Sequence, residues 1–423
     1  MGNKAEEILR DRERRHESIL PYLKPGKVVV TIKANIPGPD KRLNLAYLII
    51  TYFAQKFSQM HASEKHRYDG PDGPEWIFVI LANDASVVKS QAILLEEQNP
   101  YGRFVDIDVH MNAHKSLNRP HARACMLCGK DAFLCGRNQT HKLSDLLSYI
   151  QQTVYQNVHH DVMNAIDEAM MAELNLDPKF GLVTPSSSGS HPDMNYQLML
   201  SAKAAIMPYF SEMFHLGWNS RDLSALFNGA RMIGKNAETA MLAATNGVNA
   251  YKGLIFNLGM LVSALGYLLR ERRGDLFRIV RLMAVEIQND FEYAPKTSGL
   301  NAFHQYGIKG ARGEAIEGFP TLKKLLPICT DLNRESLMKT LIEAIRMMDD
   351  TVLIKRAKTL QSANDIKTWF KSIDAKDDSG IKQLTARCIT ANLSFGGAAD
   401  MLVLTVFYKL IDKIFAIEDY IEF

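Results

Sequence analysis

A chain of 423 residues, at roughly 100–200 residues per domain, predicts two or three domains with ample length for a buried core. Apolar residues at 47% and charged residues at 23% exclude a disordered tail protein. The balance of 50 Lys and Arg against 47 Asp and Glu leaves a net charge of only +3, so no bulk electrostatic pull toward nucleic acid or an anionic membrane is expected.

The opening residues, MGNKAEEILRDRERRHESIL, carry dense mixed charge and no apolar run, which predicts neither a signal nor a transit peptide and a cytoplasmic location. Residues 27–36 (KVVVTIKANI), 76–82 (WIFVILA) and 103–109 (RFVDIDV) are short β-branched or alternating runs between Pro, Gly and Asn clusters, and read as strands. Residues 43–60 place apolar side chains at 45, 48, 49, 52 and 53, one face of a helix. After His141 the pattern is helical almost throughout, with runs at 142–174, 194–216, 221–245, 253–273, 275–291, 333–360 and 381–418. The expected fold is therefore an N-terminal α+β domain, residues 1–152, followed by an all-α helical domain, residues 153–423. The uncharged stretch Gly253 to Leu269 is expected to be a buried core helix, since it carries Asn257 and three glycines.

Chemistry concentrates in a few segments. Cys125, Cys128, Cys135 and His141 have the spacing of a tetrahedral zinc site, because a two-residue gap lets one tight turn present two thiolates to one ion. Reduced, part-buried thiols are the plainer alternative. Asp106 and Asp108 alternate along a strand and so share a face, an arrangement suited to holding Mg²⁺ against phosphates; a solvated strand face would read the same way. In Asn35-Ile-Pro-Gly-Pro-Asp-Lys41 a rigid turn brings Lys41 and Arg42 to a helix N-terminus, a place suited to anions; an ordinary strand-to-helix turn reads the same way.

The order NIPGPDK, DIDVH and LNRPHARACMLCGKDAFLCGRNQTH resembles the holo-acyl-carrier-protein synthase of citrate lyase, the phosphoribosyl-dephospho-CoA transferase, over roughly residues 8–150. The resemblance implies a nucleotidyltransferase-like domain in which a serine of the citrate lyase acyl carrier protein attacks a triphosphoribosyl-dephospho-CoA and pyrophosphate leaves. It also makes Arg123 and Arg137 candidates for phosphate contacts, since a guanidinium pairs with phosphate oxygens.

In the helical part, a Gly/Ser-rich loop, GLVTPSSSGSHPDM, carries Gly189, His191 and Asp193; it can cradle phosphate, hold Mg²⁺ or supply a base, or serve as a linker with an aspartate cap. Gly247-Val-Asn249-Ala-Tyr-Lys252-Gly253, the run around Lys309-Gly-Ala-Arg312-Gly-Glu314, and Gly396-Gly397-Ala-Ala-Asp400 again set glycines beside cations and carboxylates. Such loops suit a backbone that must approach a polyanion, and their convergence on one cleft is expected. These segments resemble triphosphoribosyl-dephospho-CoA synthase over roughly residues 155–418, most specifically in GARGEA and GFP. That family implies attack of the dephospho-CoA ribose on C1' of ATP with loss of adenine. For that chemistry, residue type suggests Asp193 and Asp400 for Mg²⁺ or base work, Glu314 for Mg²⁺ or the charged ribose, Lys252 and Arg312 for phosphate, and His191, the imidazole near these loops, for acid or base work. Asn249, Gly189, Gly396 and Gly397 then belong to nucleotide binding. Two histidines of that pattern are here Tyr251 and Ser298, and a proline is Phe180. A phenol with pKa near 10 is poorly suited to act as a base. The implied whole is a two-step prosthetic-group enzyme using ATP, dephospho-CoA and Mg²⁺; a zinc-stabilised transferase beside a degenerate scaffolding domain is the alternative.

Overall fold

The structure is a computed structural model; it describes every residue except 1, 83, 113–114, 273, 293–296 and 421–423. The chain divides into one unit of Met1–His160 with Lys413–Ala416, and another of Asp161–Asp412 with the C-terminal residues.

The first unit runs α1 (Gly2–Ile19), β1 (Lys27–Ala34), α2 (Asn44–Met60), β2 (Glu64–Gly70), β3 (Gly73–Leu81), α3 (Ala85–Glu97), β4 (Val105–Asn112), β5 (Lys115–Ser116), α4 (Ala132–Arg137) and the start of α5 (Leu143–Leu174). Its sheet has the order β2-β3-β1-β4-β5 with every pairing antiparallel. The β-branched run of β1 takes the centre, buried on both sides. Directly opposed residues share a face, so the register places Glu75 of β3, Lys33 of β1 and Asp106 of β4 in one row, with Thr31 and Asp108 in the next row on that face. Phe57 of α2 packs on Phe78, which belongs to the opposite face; the helix thereby covers one side of the sheet.

The second unit contains the rest of α5, then α6 (Tyr196–Asn219), α7 (Leu223–Ala244), α8 (Lys252–Glu271), α9 (Leu276–Met283), α10 (Ser298–Tyr306), α11 (Gly310–Glu317), α12 (Pro320–Leu325), α13 (Arg334–Met347), α14 (Thr351–Ala357), α15 (Leu360–Thr368), α16 (Asp378–Thr390) and α17 (Gly396–Phe415). Side chains of Asn195, Asp222, Asp275, Asn333 and Asp377 each accept from an amide of the first turn that follows, which fixes where α6, α7, α9, α13 and α16 begin. Helix α8 is apolar and long enough to cross a membrane, but 78% of that stretch is buried within the protein, as a core helix would be.

Three helical runs read from the sequence are interrupted. The run 275–291 becomes 3₁₀ after Met283. The run 333–360 breaks at 348–350, where Asp350 turns its carboxylate onto the amides of Val352 and Leu353 to start a new helix. The run 381–418 breaks at 391–395, with Asn392 at φ 54°, in the left-handed region.

Candidate functional site

In the α+β unit the polar row on the sheet is densely paired. Asp106 receives an Arg123 N–H at 2.6 Å, and the same guanidinium reaches Glu96 at 2.6 Å and the Val105 carbonyl at 2.7 Å. Lys89 lies 3.8 Å from Asp108 and donates to the Ile107 carbonyl at 2.9 Å. Lys33 and Arg12 both pair with Asp72. Lys41 donates to the Ile36 carbonyl and feels Asp72, Lys33, Arg12 and Asp106; burial lowers its pKa before those charges act. Burial also raises the Asp106 carboxyl, opposed by Arg123 and reinforced by Asp108. Two carboxylates on one face, both partly open to water and ringed by cations, form a donor set that fits a hard divalent ion.

Two groups here escaped the sequence reading. Glu75 is buried, its Oε2 has no hydrogen-bond partner, and burial pushes its carboxyl up to about 7 against the pull of Arg15 and Lys33. Arg103 has Nε and one terminal nitrogen buried without a partner and senses Arg123 and Asp106. Glu75 was legible only through its place in a strand of otherwise apolar residues, and Arg103 had no local signal at all.

The donor atoms of Cys125, Cys128, Cys135 and His141 all lie within 4.8 Å of one another. The sulfurs of Cys128 and Cys135 are 3.5 Å apart, and Nε2 of His141 is buried with no hydrogen-bond partner. Burial alone would raise the Cys125 thiol, but the amides of Cys128 and Leu127 point at its sulfur and bring it down to about 6. Four soft and borderline donors gathered round one point, one of them an orphaned imidazole nitrogen, fit a closed tetrahedral zinc site. Arg137 sits exposed at the end of α4 beside this cluster, and no ion-pair partner engages it among the described residues.

The helical unit contains a cleft of about 790 Å³. It is lined at the starts of α8, α11, α14 and α17 and by the loop carrying His191. His191, Asn249, Lys252, Glu314, Gly396, Gly397 and Asp400 all line it. Gly189, Asp193 and Arg312 do not. Gly189 takes a left-handed turn against the Gly181 carbonyl, Asp193 is exposed, and Arg312 is held at 3.1 Å by Asp290. Lys252 pairs with Glu238 at 2.7 Å, and Asn249 accepts from the Lys252 amide at 3.2 Å. Glu314 accepts from both the amide and the hydroxyl of Thr321, at 3.1 and 2.5 Å, and burial raises its carboxyl against that pull.

His191 lines the cleft with both ring nitrogens engaged, by Ser394 and by Arg356. Tyr251 is 5% exposed with no partner for its hydroxyl; burial, Glu173 and Asp400 raise its pKa well above 10, so it is a neutral donor. The sequence reading passed over Asp350, which hides inside a helical periodicity. The one available signal was Asp-Thr at a helix start.

The glycines at positions 253 and 397 lie against two of the protein's carboxylates. A Cβ on Gly253 would sit 2.3 Å from an Asp400 carboxylate oxygen, and one on Gly397 would sit 3.0 Å from the Asp350 carboxyl carbon. The backbone is bared there for the protein's own carboxylates.

Comparison with known proteins follows this division. Residues 3–157 match the family described as apo-citrate lyase phosphoribosyl-dephospho-CoA transferase (CitX), and residues 159–419 match ATP:dephospho-CoA triphosphoribosyl transferase (CitG). "Protein CitXG" of Leuconostoc mesenteroides subsp. cremoris is 33% identical over 90% of this chain and 91% of its own length. This chain belongs to the CitXG family. "Protein CitXG" of Haemophilus influenzae is 31% identical over 78% of each chain. The "Probable 2-(5''-triphosphoribosyl)-3'-dephosphocoenzyme-A synthase" of Lactiplantibacillus plantarum is 35% identical over 60% of this chain and 98% of its own. In CitXG terms, the aspartate pair and the Cys3His cluster belong to the CitX part and the cleft to the CitG part.

Proposed function

We propose that the helical unit joins ATP to dephospho-CoA, making 2'-(5''-triphosphoribosyl)-3'-dephospho-CoA and adenine. The α+β unit then passes the phosphoribosyl-dephospho-CoA group to a serine of the citrate lyase acyl carrier protein, with pyrophosphate as the leaving group. In the first step the ribose 2'-oxygen bonds to C1' as the C1'–N bond to adenine breaks. In the second the serine oxygen bonds to phosphorus as the bond to pyrophosphate breaks. Family matches to both units favour two successive reactions over a scaffolding second domain.

The observation that carries the first step is that α8 and α11 both begin at the cleft. Neither Tyr251 nor Lys309, at the caps of α8 and α11, spends its side chain there. Amides at helix starts bind phosphate oxygens, and Lys252 and Lys309 stand beside them. Glu314, held by Thr321, would face the positive charge that builds on the ribose. In the other unit, taken as nucleotidyltransferase-like, Asp106 and Asp108 would hold Mg²⁺, which neutralises phosphate charge when bound. Lys41, Arg103 and Arg137 are the cations suited to the triphosphate. The Cys3His site, with all four positions filled by protein, has a structural role. A cytoplasmic location suits reduced thiols and these substrates.

Incubation of the whole protein with ATP, Mg²⁺ and dephospho-CoA should release adenine, and addition of the apo-carrier protein should raise its mass by the prosthetic group. Absence of adenine overturns the first reaction. An unmodified carrier in the presence of synthetic triphosphoribosyl-dephospho-CoA overturns the second.

A further inference from the structure

Three carboxylates line one wall of the cleft, Glu173 and Asp350 buried and Asp400 half-buried, and they are neutralised unequally. Glu173 is paired at 2.6 Å with Lys179, itself only 1% exposed. Asp350, 3% exposed, accepts from the amides of Val352 at 2.7 Å, Leu353 at 3.3 Å and Ala398 at 3.2 Å, so the starts of α14 and α17 both face it. Asp400 lines the cleft one turn into α17, and among the described residues its carboxylate has no hydrogen-bond or ion-pair partner. Burial raises it well above the usual carboxylate range, and Asp350 and Glu173 add to that. An unpaired carboxylate beside another carries a large cost unless a proton or a cation joins them.

An independent feature lies on the same wall. Asn257 lines the cleft at 2% exposure, and its side-chain oxygen has no hydrogen-bond partner. It lies four residues after Gly253 on α8, hence on the helix face against which the Asp400 carboxylate packs. A proton on Asp400 would leave the Asn257 oxygen orphaned unless the two met. A hard cation takes two carboxylates and an amide oxygen together, with water or phosphate oxygens completing its shell.

We propose that Asp350, Asp400 and Asn257 form a divalent-cation site on the wall of the cleft, of Mg²⁺ or Mn²⁺ type. It rests on the reading of the cleft as a triphosphate site and names the residues that would hold that nucleotide's metal there. Asp193, the earlier candidate for this task, is exposed and outside the cleft lining. Both glycines facing the carboxylates follow from the same arrangement, since a side chain at either position would displace a ligand.

The test uses the zinc-loaded full-length protein carrying Asp106→Asn and Asp108→Asn, which silences the other candidate divalent site. Mn²⁺ is titrated with inorganic tripolyphosphate present, and free Mn²⁺ is read by electron paramagnetic resonance. One Mn²⁺ per chain is expected beyond that bound by tripolyphosphate alone. Asp400→Asn, folded by circular dichroism, should weaken it by about tenfold or more, because affinity follows the number of charged ligands. Asn257→Leu should weaken it less. Unchanged Mn²⁺ binding in folded Asp400→Asn overturns the site. So does absence of protein-bound Mn²⁺ together with a carboxylic-acid infrared band that disappears in Asp400→Asn, which would assign a proton to Asp400. Cation binding without adenine release from ATP would sink the proposed reaction and leave the site standing.

Discussion

Arg356 and His191 hold each other across the mouth of the Gly/Ser-rich loop: the guanidinium donates to Nδ1 of the imidazole at 3.1 Å. That bond makes Nδ1 the acceptor and puts the ring proton on Nε2, which meets Ser394 Oγ at 2.9 Å. Arg356 also donates to the carbonyls of Ser190 and Asn392, at 2.9 and 3.2 Å. The histidine that the sequence offered as a proton carrier therefore also fastens the 181–193 loop to the break before α17.

Burial lowers the His191 pKa from 6.5, and Arg356 lowers it further against the pull of Asp193. A histidine kept neutral in the fold but free to protonate when unfolded lends stability above pH 6.5, and that contribution is lost as pH falls from 6.5 toward its folded pKa. In an NMR titration of the folded protein, the His191 ring should titrate below 6.5, and Arg356→Met should move it upward.

Gly253→Ala should be costly although it adds a single methyl group. The new carbon would meet Asp400 at 2.3 Å, and overpacking of this kind costs about 1–3 kcal/mol. Gly234→Ala, inside α7 with its nearest neighbour at 3.5 Å, should instead be neutral or stabilising by about 0.5–1 kcal/mol. Urea unfolding of the two variants checks the contrast, and adenine release should fall only in the first.

Tyr251→Phe removes a buried hydroxyl that has no protein partner, so the fold should lose little. If that hydroxyl donates to the nucleotide in the transition state, adenine release should drop by roughly 10²–10³. A Tm within a degree or two of the parent together with unchanged kcat would remove Tyr251 from the reaction.

Zinc should copurify with the protein at one ion per chain, measured by elemental analysis. Cys128→Ser should abolish it and lower the melting temperature of the α+β unit. His141→Ala should weaken retention against a chelator, since the imidazole nitrogen that lacks a hydrogen-bond partner would be the fourth donor.

Asp106→Asn should lower carrier-protein modification by about 10²–10³ while leaving adenine release at the parent rate. The two reactions, followed in one sample by mass spectrometry and chromatography, would separate the work of the two units.

The strands that were legible are those with apolar alternation: β1, β3 and β4 stand close to where their β-branched runs place them. Strand β2, EKHRYDG, went unread because it is an edge strand with polar side chains on both faces, so no period of two appears in its hydropathy. Helix α3 was missed although Asp84 caps it, since Val87 and Leu94 face outward and blur its apolar stripe. Cleft residues beside glycines were found because glycine marks an unusual backbone. Asp350 was not, because Met347 and Thr351 continue a helical pattern through the break and the capping bond is visible only in three dimensions. Arg312 shows the converse: it stands in the most specific motif of the chain, yet its guanidinium serves Asp290.

The interruptions at 348–350 and 391–395 bear on any attempt to engineer this protein. A thermostability campaign would naturally splice each pair of short helices into one continuous rod with strong helix formers. Doing so would withdraw the Asp350 carboxylate and erase the fresh row of amides at the start of α17, so a sturdier bundle and a working catalyst pull these two gaps in opposite directions.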